Sequence, residues 1–332
     1  MRNILVIKLR YIGDVLLATP VLESLRAAWP QARLTMAVNR GTEAVLAHNP
    51  HVNETMVVER MGLGGELDRL RQLRRRRFDC VIDLSDSDRA AVMTMMTGAP
   101  TRIGFNWEHR WRGLAYTSVV EAAYGAMHMV DYNLAALAPL GISSEQVRPS
   151  LRTGPDDELA ADRLVYEGGL TGVPWVMIHP GARYWFKAWP AERFAALIDR
   201  LGQEEIAVGL VGDRRDHEVV EHIRGLTKRR PVSFVGRTSL LELAALMRRC
   251  ALFIGNDAGP MHMAAAVGTP VVALFGPSDP AVWGPYSSWA TAIYKGLDCR
   301  ACFHPTCRRG IENCMQQVAV DEVLKAVKKY LS

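Results

Sequence analysis

The sequence predicts an α/β protein built on parallel sheets covered on both faces and shared between two domains. Three observations predict it. The stretch from Leu252 to Pro280, LFIGNDAGPMHMAAAVGTPVVALFGPSDP, joins two unbroken apolar runs, Ala251 to Ile254 and Val271 to Phe275, through a glycine-containing turn and a small-residue helix, Met261 to Val267. Continuous apolar strands are what a sheet buried on both faces demands. Strands and helical patterns alternate from Asn3 to about Leu140, which implies parallel pairing with right-handed crossovers. The 332 residues exceed a single core, so two domains of roughly 150 residues each are expected.

Composition narrows the class. Apolar residues make up 49% and charged residues 23% of the chain, as in ordinary soluble globular proteins. No apolar run reaches the roughly 18 residues a spanning helix needs. The start, MRNILVIKLRYIGDVLL, is basic and then apolar, but Lys8, Arg10 and Asp14 interrupt a signal-peptide core, so a cytoplasmic protein is expected. A net charge of +5 does not argue for nucleic acid, and no nucleic-acid-binding motif is present. Arg69, Arg71 and the run Arg74 to Arg77 form one cluster. It reads either as a solvated helix face or as a contact for anionic lipid headgroups at the inner membrane or for a phosphorylated substrate.

The first strand, Asn3 to Leu9, is of the buried type. It runs through Arg10-Tyr11-Ile12-Gly13-Asp14 into a helix, Val15 to Trp29, whose Val15, Leu16, Val21, Leu22 and Leu25 recur at near-helical spacing until Pro30 ends it. Strand, glycine turn and helix make a nucleotide-fold opening. The turn has one glycine where the dinucleotide fingerprint needs three, which argues against a dehydrogenase. Asp14 admits two compatible roles: a general base taking a proton from an incoming hydroxyl, or the N-cap of the next helix. Further strands are expected at Arg33 to Val38, Glu54 to Val58, Cys80 to Leu84 and Arg102 to Phe105, with helices at Gly41 to His48 and Glu66 to Arg76. The segment Trp107 to Met129 carries His109, Arg110, Arg112, Tyr116 and His128 among aromatics. It suits an acceptor-binding wall or a polar loop with aromatic anchors. Arg10 and Gly13 join His109 and Arg110 as candidate acceptor contacts.

Between Gly141 and Gly172 the chain turns polar and is broken by Pro149, Gly154, Pro155, Gly168 and Gly169, with a helix at Asp156 to Glu167. The domain boundary is placed here, giving residues 1–150 and 151–317. The second domain opens with a strand, Trp175 to Ile178, ending in His179-Pro180-Gly181-Ala182. A loop with Arg183 and Lys187 follows, then a helix from about Ala191 with Pro190 at its first turn. Two cations opposite a helix N-terminus suit a diphosphate, although surface loops also carry cations for solubility. Next come a strand at Ala207 to Val211, Glu218 entering a helix where an acid can accept from ribose hydroxyls, a strand closed by Phe234-Val235-Gly236, and a helix at Leu240 to Arg249. In the turn Gly255 to Pro260, Gly255 and Gly259 let backbone approach a ligand, and the helix after it offers unpaired N–H groups to a phosphate. Asp257 serves as a site residue or as the cap of that helix, and His262 as an added donor or a packing residue. A last helix, Asp321 to Tyr330 within residues 318–332, is expected to pack back toward the first domain.

Four of the six cysteines, Cys299, Cys302, Cys307 and Cys314, crowd together as C-x2-C-x4-C-x6-C. The set suits zinc, an iron–sulfur cluster or a loop pinned by packed thiols, and the spacing is not that of a standard zinc ribbon.

Taken in order, I-G-D-V-L-L-A-T-P (Ile12 to Pro20), the H-P-G-A turn with K-A-W-P (Lys187 to Pro190), G-N-D-A-G-P-M-H and F-G-P-S-D-P (Phe275 to Pro280) resemble glycosyltransferase family 9, the ADP-heptose:lipopolysaccharide heptosyltransferases. The cysteine-rich segment ending in Cys314-Met315 is similar to the heptosyltransferase II and III branch. The resemblance implies a GT-B architecture of two Rossmann-like, doubly wound domains facing across a cleft, an acceptor domain first and a donor domain second. It further implies an inverting heptose transfer from ADP-heptose to a hydroxyl of the lipopolysaccharide core, with no required metal cofactor. By the same resemblance Asp14 is the general base, Lys187 meets the donor phosphates, Glu218 the ribose and Asp257 the region near the sugar. His179, Gly181, Arg183, Ala258, Gly259, Met261 and His262 complete the expected donor site, although Pro260 has no N–H to offer and Gly181 and Ala182 supply no hydroxyl. Two other classes fit the same residues: a UDP-sugar epimerase on this layout, and a non-catalytic nucleotide- or metal-binding protein.

Overall fold

A computed structural model describes residues 1–59, 61–143, 147–297, 299, 307 and 309–331. The chain divides into two compact units, Met1–Arg152 and Thr153–Ser332. The first holds six strands, β1 (Asn3–Lys8), β2 (Arg33–Asn39), β3 (Glu54–Val58), β4 (Cys80–Asp83), β5 (Thr101–Phe105) and β6 (Ser118–Val120), in one parallel sheet ordered β3-β2-β1-β4-β5-β6. The second holds β7 (Trp175–His179), β8 (Ala207–Leu210), β9 (Val232–Ser233), β10 (Leu252–Asn256), β11 (Val271–Phe275) and β12 (Ala290–Tyr294), ordered β12-β11-β10-β7-β8-β9 and again all parallel. Counted within its own unit, the second sheet repeats the order of the first. Both are doubly wound, and both reverse direction beside their first strand, between β1 and β4 and between β7 and β10. In such sheets ligands bind at the carboxyl ends of the strands flanking that reversal.

The central strands are apolar because helices cover both faces. Ile4 to Ile7, Val176 to Ile178, Leu252 to Ile254 and Val271 to Phe275 are all fully buried. Each unit has a core of its own. Leu5, Ile7 and Val81 pack with Leu73, Phe78 and Met93 in the first, and Val176, Ile178, Ile254 and Leu274 pack with Phe194, Leu197 and Ile223 in the second.

Several expectations need correcting. The helix read from Val15 to Trp29 is two helices, Ile12–Leu16 and Thr19–Ala28. Pro20 cannot donate to Leu16, whose carbonyl instead accepts the Thr19 hydroxyl at 2.8 Å. Gly41 to His48 forms only a 3-10 turn at Glu43–Leu46. The strand read through Gly236 stops at Ser233. Helices at Asp88–Thr97 and Met129–Ala135 and the edge strands β6 and β12 add to the expected elements. The final helix, Val320–Leu331, packs its apolar face within its own unit. Val323, Leu324, Ala326 and Val327 are buried in the core of the second.

Candidate active site

In the first unit the two loops at the reversal are laced together. Leu9 N–H donates to the Ser85 hydroxyl at 2.7 Å, that hydroxyl donates to Ile7 O at 3.1 Å, and Arg10 Nε donates to Ser85 O at 3.0 Å. Asp14 rides on the short helix Ile12–Leu16 that starts from this lacing. The N-cap is Tyr11, and Asp14 stands three residues later, its carboxylate taking the Tyr11 N–H at 3.4 Å. That bond corrects the cap reading and leaves a half-buried carboxylate at the mouth of the sheet. Gly13 is the second residue of the same helix.

Behind Asp14 lies a buried polar layer. Asp83 is fully buried, accepting from Ser85 N–H and from the Tyr116 hydroxyl, each at 2.8 Å. Burial pushes its carboxyl up to about 6. Asp86, in a left-handed backbone conformation, pairs with the buried Arg112 at 3.1 Å, and Arg112 also holds Glu108 at 2.8 Å. His109, also left-handed, and Arg110 form an exposed turn closed by Arg110 N–H on Asn106 Oδ1 at 2.9 Å, with Arg110 Nε paired to Glu108 at 2.8 Å. The Glu108 carboxylate thus joins that turn to Arg112.

In the second unit the loops at the reversal are fastened by one buried side chain. Asn256, fully buried at the end of β10, donates Nδ2 to Pro180 O at 2.7 Å and to Gly181 O at 3.3 Å, and its Oδ1 accepts Trp189 N–H at 3.1 Å. One side chain therefore fastens the loop after β7 and the loop of Lys187 to β10. Trp189 is anchored in turn, its indole N–H on Val318 O at 3.0 Å and its ring edge-on to Phe194. Lys187 is held so that its ammonium meets Asp257 at 2.5 Å, with the Asp257 side chain only 9% exposed. The helix Gly259–Ala266 begins next to this pair, with Ala258 as its N-cap. Asp257 is thus the partner of Lys187 rather than the cap.

Other expected donor residues are placed more variously. Met261 is buried and its N–H is taken by Ala258 O at 3.1 Å, so the Gly259 end of the helix is what can meet an anion. His262 is buried in the first turn of that helix. Gly255 is small for packing, since a Cβ would lie 2.9 Å from the Phe253 ring. Arg183 is exposed and lies over the Tyr184 ring, 5.5 Å from its centroid. Glu218 is exposed in the first turn of helix His217–Leu226. Nearer the sheet stands Asp216, whose Oδ2 accepts the Asp213 N–H at 2.9 Å and approaches His179 Nε2 at 3.6 Å, while the buried His179 Nδ1 has no hydrogen-bond partner among the described residues.

Cys80 and Cys250 are core thiols that burial pushes up to about 12, which removes them as nucleophiles. Cys302 lies outside the described residues. Of its neighbours in sequence, Cys299 accepts from Arg309 Nε at 3.3 Å and Cys314 is buried. Among the described residues no group of three or more His, Cys, Asp or Glu side chains is arranged to hold a metal ion. Nor is any helix among them long and apolar enough to cross a membrane.

Comparison with known proteins identifies the family. The model of glycosyltransferase family 9 (heptosyltransferase) matches residues 68–311. Lipopolysaccharide heptosyltransferase 3 of Escherichia coli strain K12 is 33% identical over 300 residues, covering 87% of this chain and 86% of its own length. A family 9 glycosyl transferase from Veillonella parvula superposes with a TM-score of 0.90 at 28% identity, covering 99% of this chain and 97% of the other. ADP-heptose lps heptosyltransferase II of E. coli superposes with a TM-score of 0.82 at 25% identity, covering 100% and 98%. With its two doubly wound sheets in the GT-B arrangement of strands and with matches along nearly its whole length, the chain belongs to glycosyltransferase family 9, the heptosyltransferases.

Proposed function

We propose that the enzyme moves heptose from ADP-L-glycero-D-manno-heptose onto a hydroxyl of a heptose already present in the lipopolysaccharide inner core, with inversion at the anomeric carbon. The observation that carries this reading is the Lys187–Asp257 pair, fixed by Asn256 at the reversal of the second sheet beside the Gly259 end of a helix. A cation and a helix N-terminus at one point suit a diphosphate. As the donor enters, Lys187 turns part of its charge from Asp257 to the phosphates, which leaves Asp257 to face the sugar. Glu218 and Asp216 serve the ribose hydroxyls, and Arg183 adds a second cation. Relatives named for lipopolysaccharide and for ADP-heptose support the choice of substrates.

In the reaction the acceptor oxygen bonds to the anomeric carbon as the bond from that carbon to the phosphate oxygen breaks. Asp14 takes the acceptor proton, and ADP leaves with the bonding electrons, its charge met by Lys187 and the helix. No metal is assigned a step, so chelation with EDTA is expected to leave turnover unchanged. We place the enzyme in the cytoplasm and peripherally on the inner membrane, with the exposed Arg71, Arg74, Arg75 and Arg77 toward anionic headgroups. The test is transfer from ADP-heptose to heptose-terminated, truncated lipopolysaccharide, followed by mass spectrometry of the product and the configuration of the new linkage. Asp14→Asn is expected to abolish transfer while ADP binding stays within twofold. Loss of ADP binding in that variant would reduce Asp14 to a structural residue.

A further inference from the structure

Lys8 closes β1, yet its side chain is only 2% exposed, and no step above uses it. A buried ammonium is costly unless its donors are engaged. Here Nζ donates to Leu84 O at 2.8 Å and to Asn133 Oδ1 at 3.0 Å. Asn133, fully buried on the helix Met129–Ala135, then donates Nδ2 to Leu17 O at 3.0 Å. Leu17 is the residue that ends the helix of Asp14. The bridge therefore runs from both strands flanking the reversal, through a second helix, to the carbonyl end of the short helix carrying the base. That helix spans only five residues, too few to hold its own direction.

We propose that Lys8 and Asn133 are positioning residues for Asp14. The bridge fixes the helix, and the ammonium and the Asp14 carboxylate act on each other electrostatically. The inference rests on Asp14 being the base. The charged groups around Lys8 are Asp14, Arg10, Asp83 and Asp86, with Asp14 the strongest of the acids. Burial lowers Lys8 to about 8, so its charge, and with it the hold on Asp14, falls away in the mildly alkaline range.

The experiment compares Lys8→Met, Lys8→Gln and Asn133→Ser with Asp14→Asn, reading kcat and KM for heptose transfer, ADP affinity by calorimetry, and pH–rate profiles. The Lys8 and Asn133 variants are expected to lose at least tenfold in kcat, with ADP affinity within twofold. The parent's alkaline fall near pH 8 is expected to disappear in Lys8→Gln. Folded Lys8 variants with kcat within twofold of the parent, or with the same alkaline fall, overturn the proposal. If the Lys8 variants do not accumulate as folded protein, Asn133→Ser, which keeps the bond from Lys8 to Leu84, decides by the same kcat criterion. Activity retained in Asp14→Asn would instead sink the base assignment on which the proposal stands.

Discussion

Asp83 illustrates what one buried carboxyl does to the pH dependence of the whole protein. Its value of about 6 lies above the ordinary 3.8, chiefly through burial and against the pull of the Ser85 N–H and Tyr116 hydroxyl bonds. The native state therefore keeps a proton that the unfolded chain releases. The stability this group contributes is complete below the ordinary value and is lost as pH rises through about 6. Urea denaturation across that window should show a decline on the order of 3 kcal/mol, and Asp83→Asn should flatten it. An unchanged decline in the variant would assign it to another group. In the proposed donor site, Lys187→Ala strands the largely buried Asp257 carboxylate against an incoming diphosphate. ADP affinity should fall at least tenfold by calorimetry, about 1.4 kcal/mol, whereas Asp257→Asn should keep ADP affinity and lose turnover. Asp14 and Lys187 could be singled out in the sequence because each lies on the segment that follows a buried apolar strand, and the resemblance to family 9 supplied the roles proposed for them. Asp216, Asn256 and Lys8 could not, since no local pattern tells which of Asp213, Asp216 and Glu218 turns inward, or that a lysine closing a strand folds back under the loop.

The loops after β7 and β8 depend on missing side chains as much as on present ones. A Cβ at Gly181 would lie 2.2 Å from Asp216 Oδ1, and one at Gly212 would lie 2.6 Å from Oδ2. Neither glycine has positive φ, so the constraint is space for the Asp216 carboxylate rather than backbone conformation. Gly181→Ala should therefore cost about 1–3 kcal/mol and weaken ADP binding by displacing Asp216. Combining it with Asp216→Ala should recover most of the stability, a coupling that a double-mutant cycle reads directly. Equal losses that simply add would show that the crowding lies elsewhere. The buried central strands were legible for a related reason, because burial on both faces writes itself as an unbroken apolar run. β6 and β12 escaped because edge strands are half exposed, as Ser118, Val119, Ala290 and Ala292 show. The helix Asp88–Thr97 escaped because its alanines, methionines and threonines carry little amphipathic contrast.

The chain divides at Arg152 and Thr153 into two units, each with a core of its own. The last helix contributes to the second of these cores. Its apolar stripe of Val323, Leu324, Ala326 and Val327 completes the core under Phe194 and Leu197, and Lys295 pairs with Glu322 at 2.5 Å to hold its start. The proposed donor site of the same unit is tied to this packing through Trp189, whose indole N–H donates to Val318 O just ahead of the helix. Each core should therefore unfold as its own cooperative step, and ADP should act on only one of them. Differential scanning calorimetry is expected to resolve two transitions, of which ADP at a hundredfold its dissociation constant strengthens one by about 2.7 kcal/mol. Leu324→Ala, which empties a site only 4% exposed, should weaken that same transition by about 2–5 kcal/mol and leave the other in place. A single transition that both ADP and Leu324→Ala move as one would mean that the two units stabilise each other and that the second core does not stand alone.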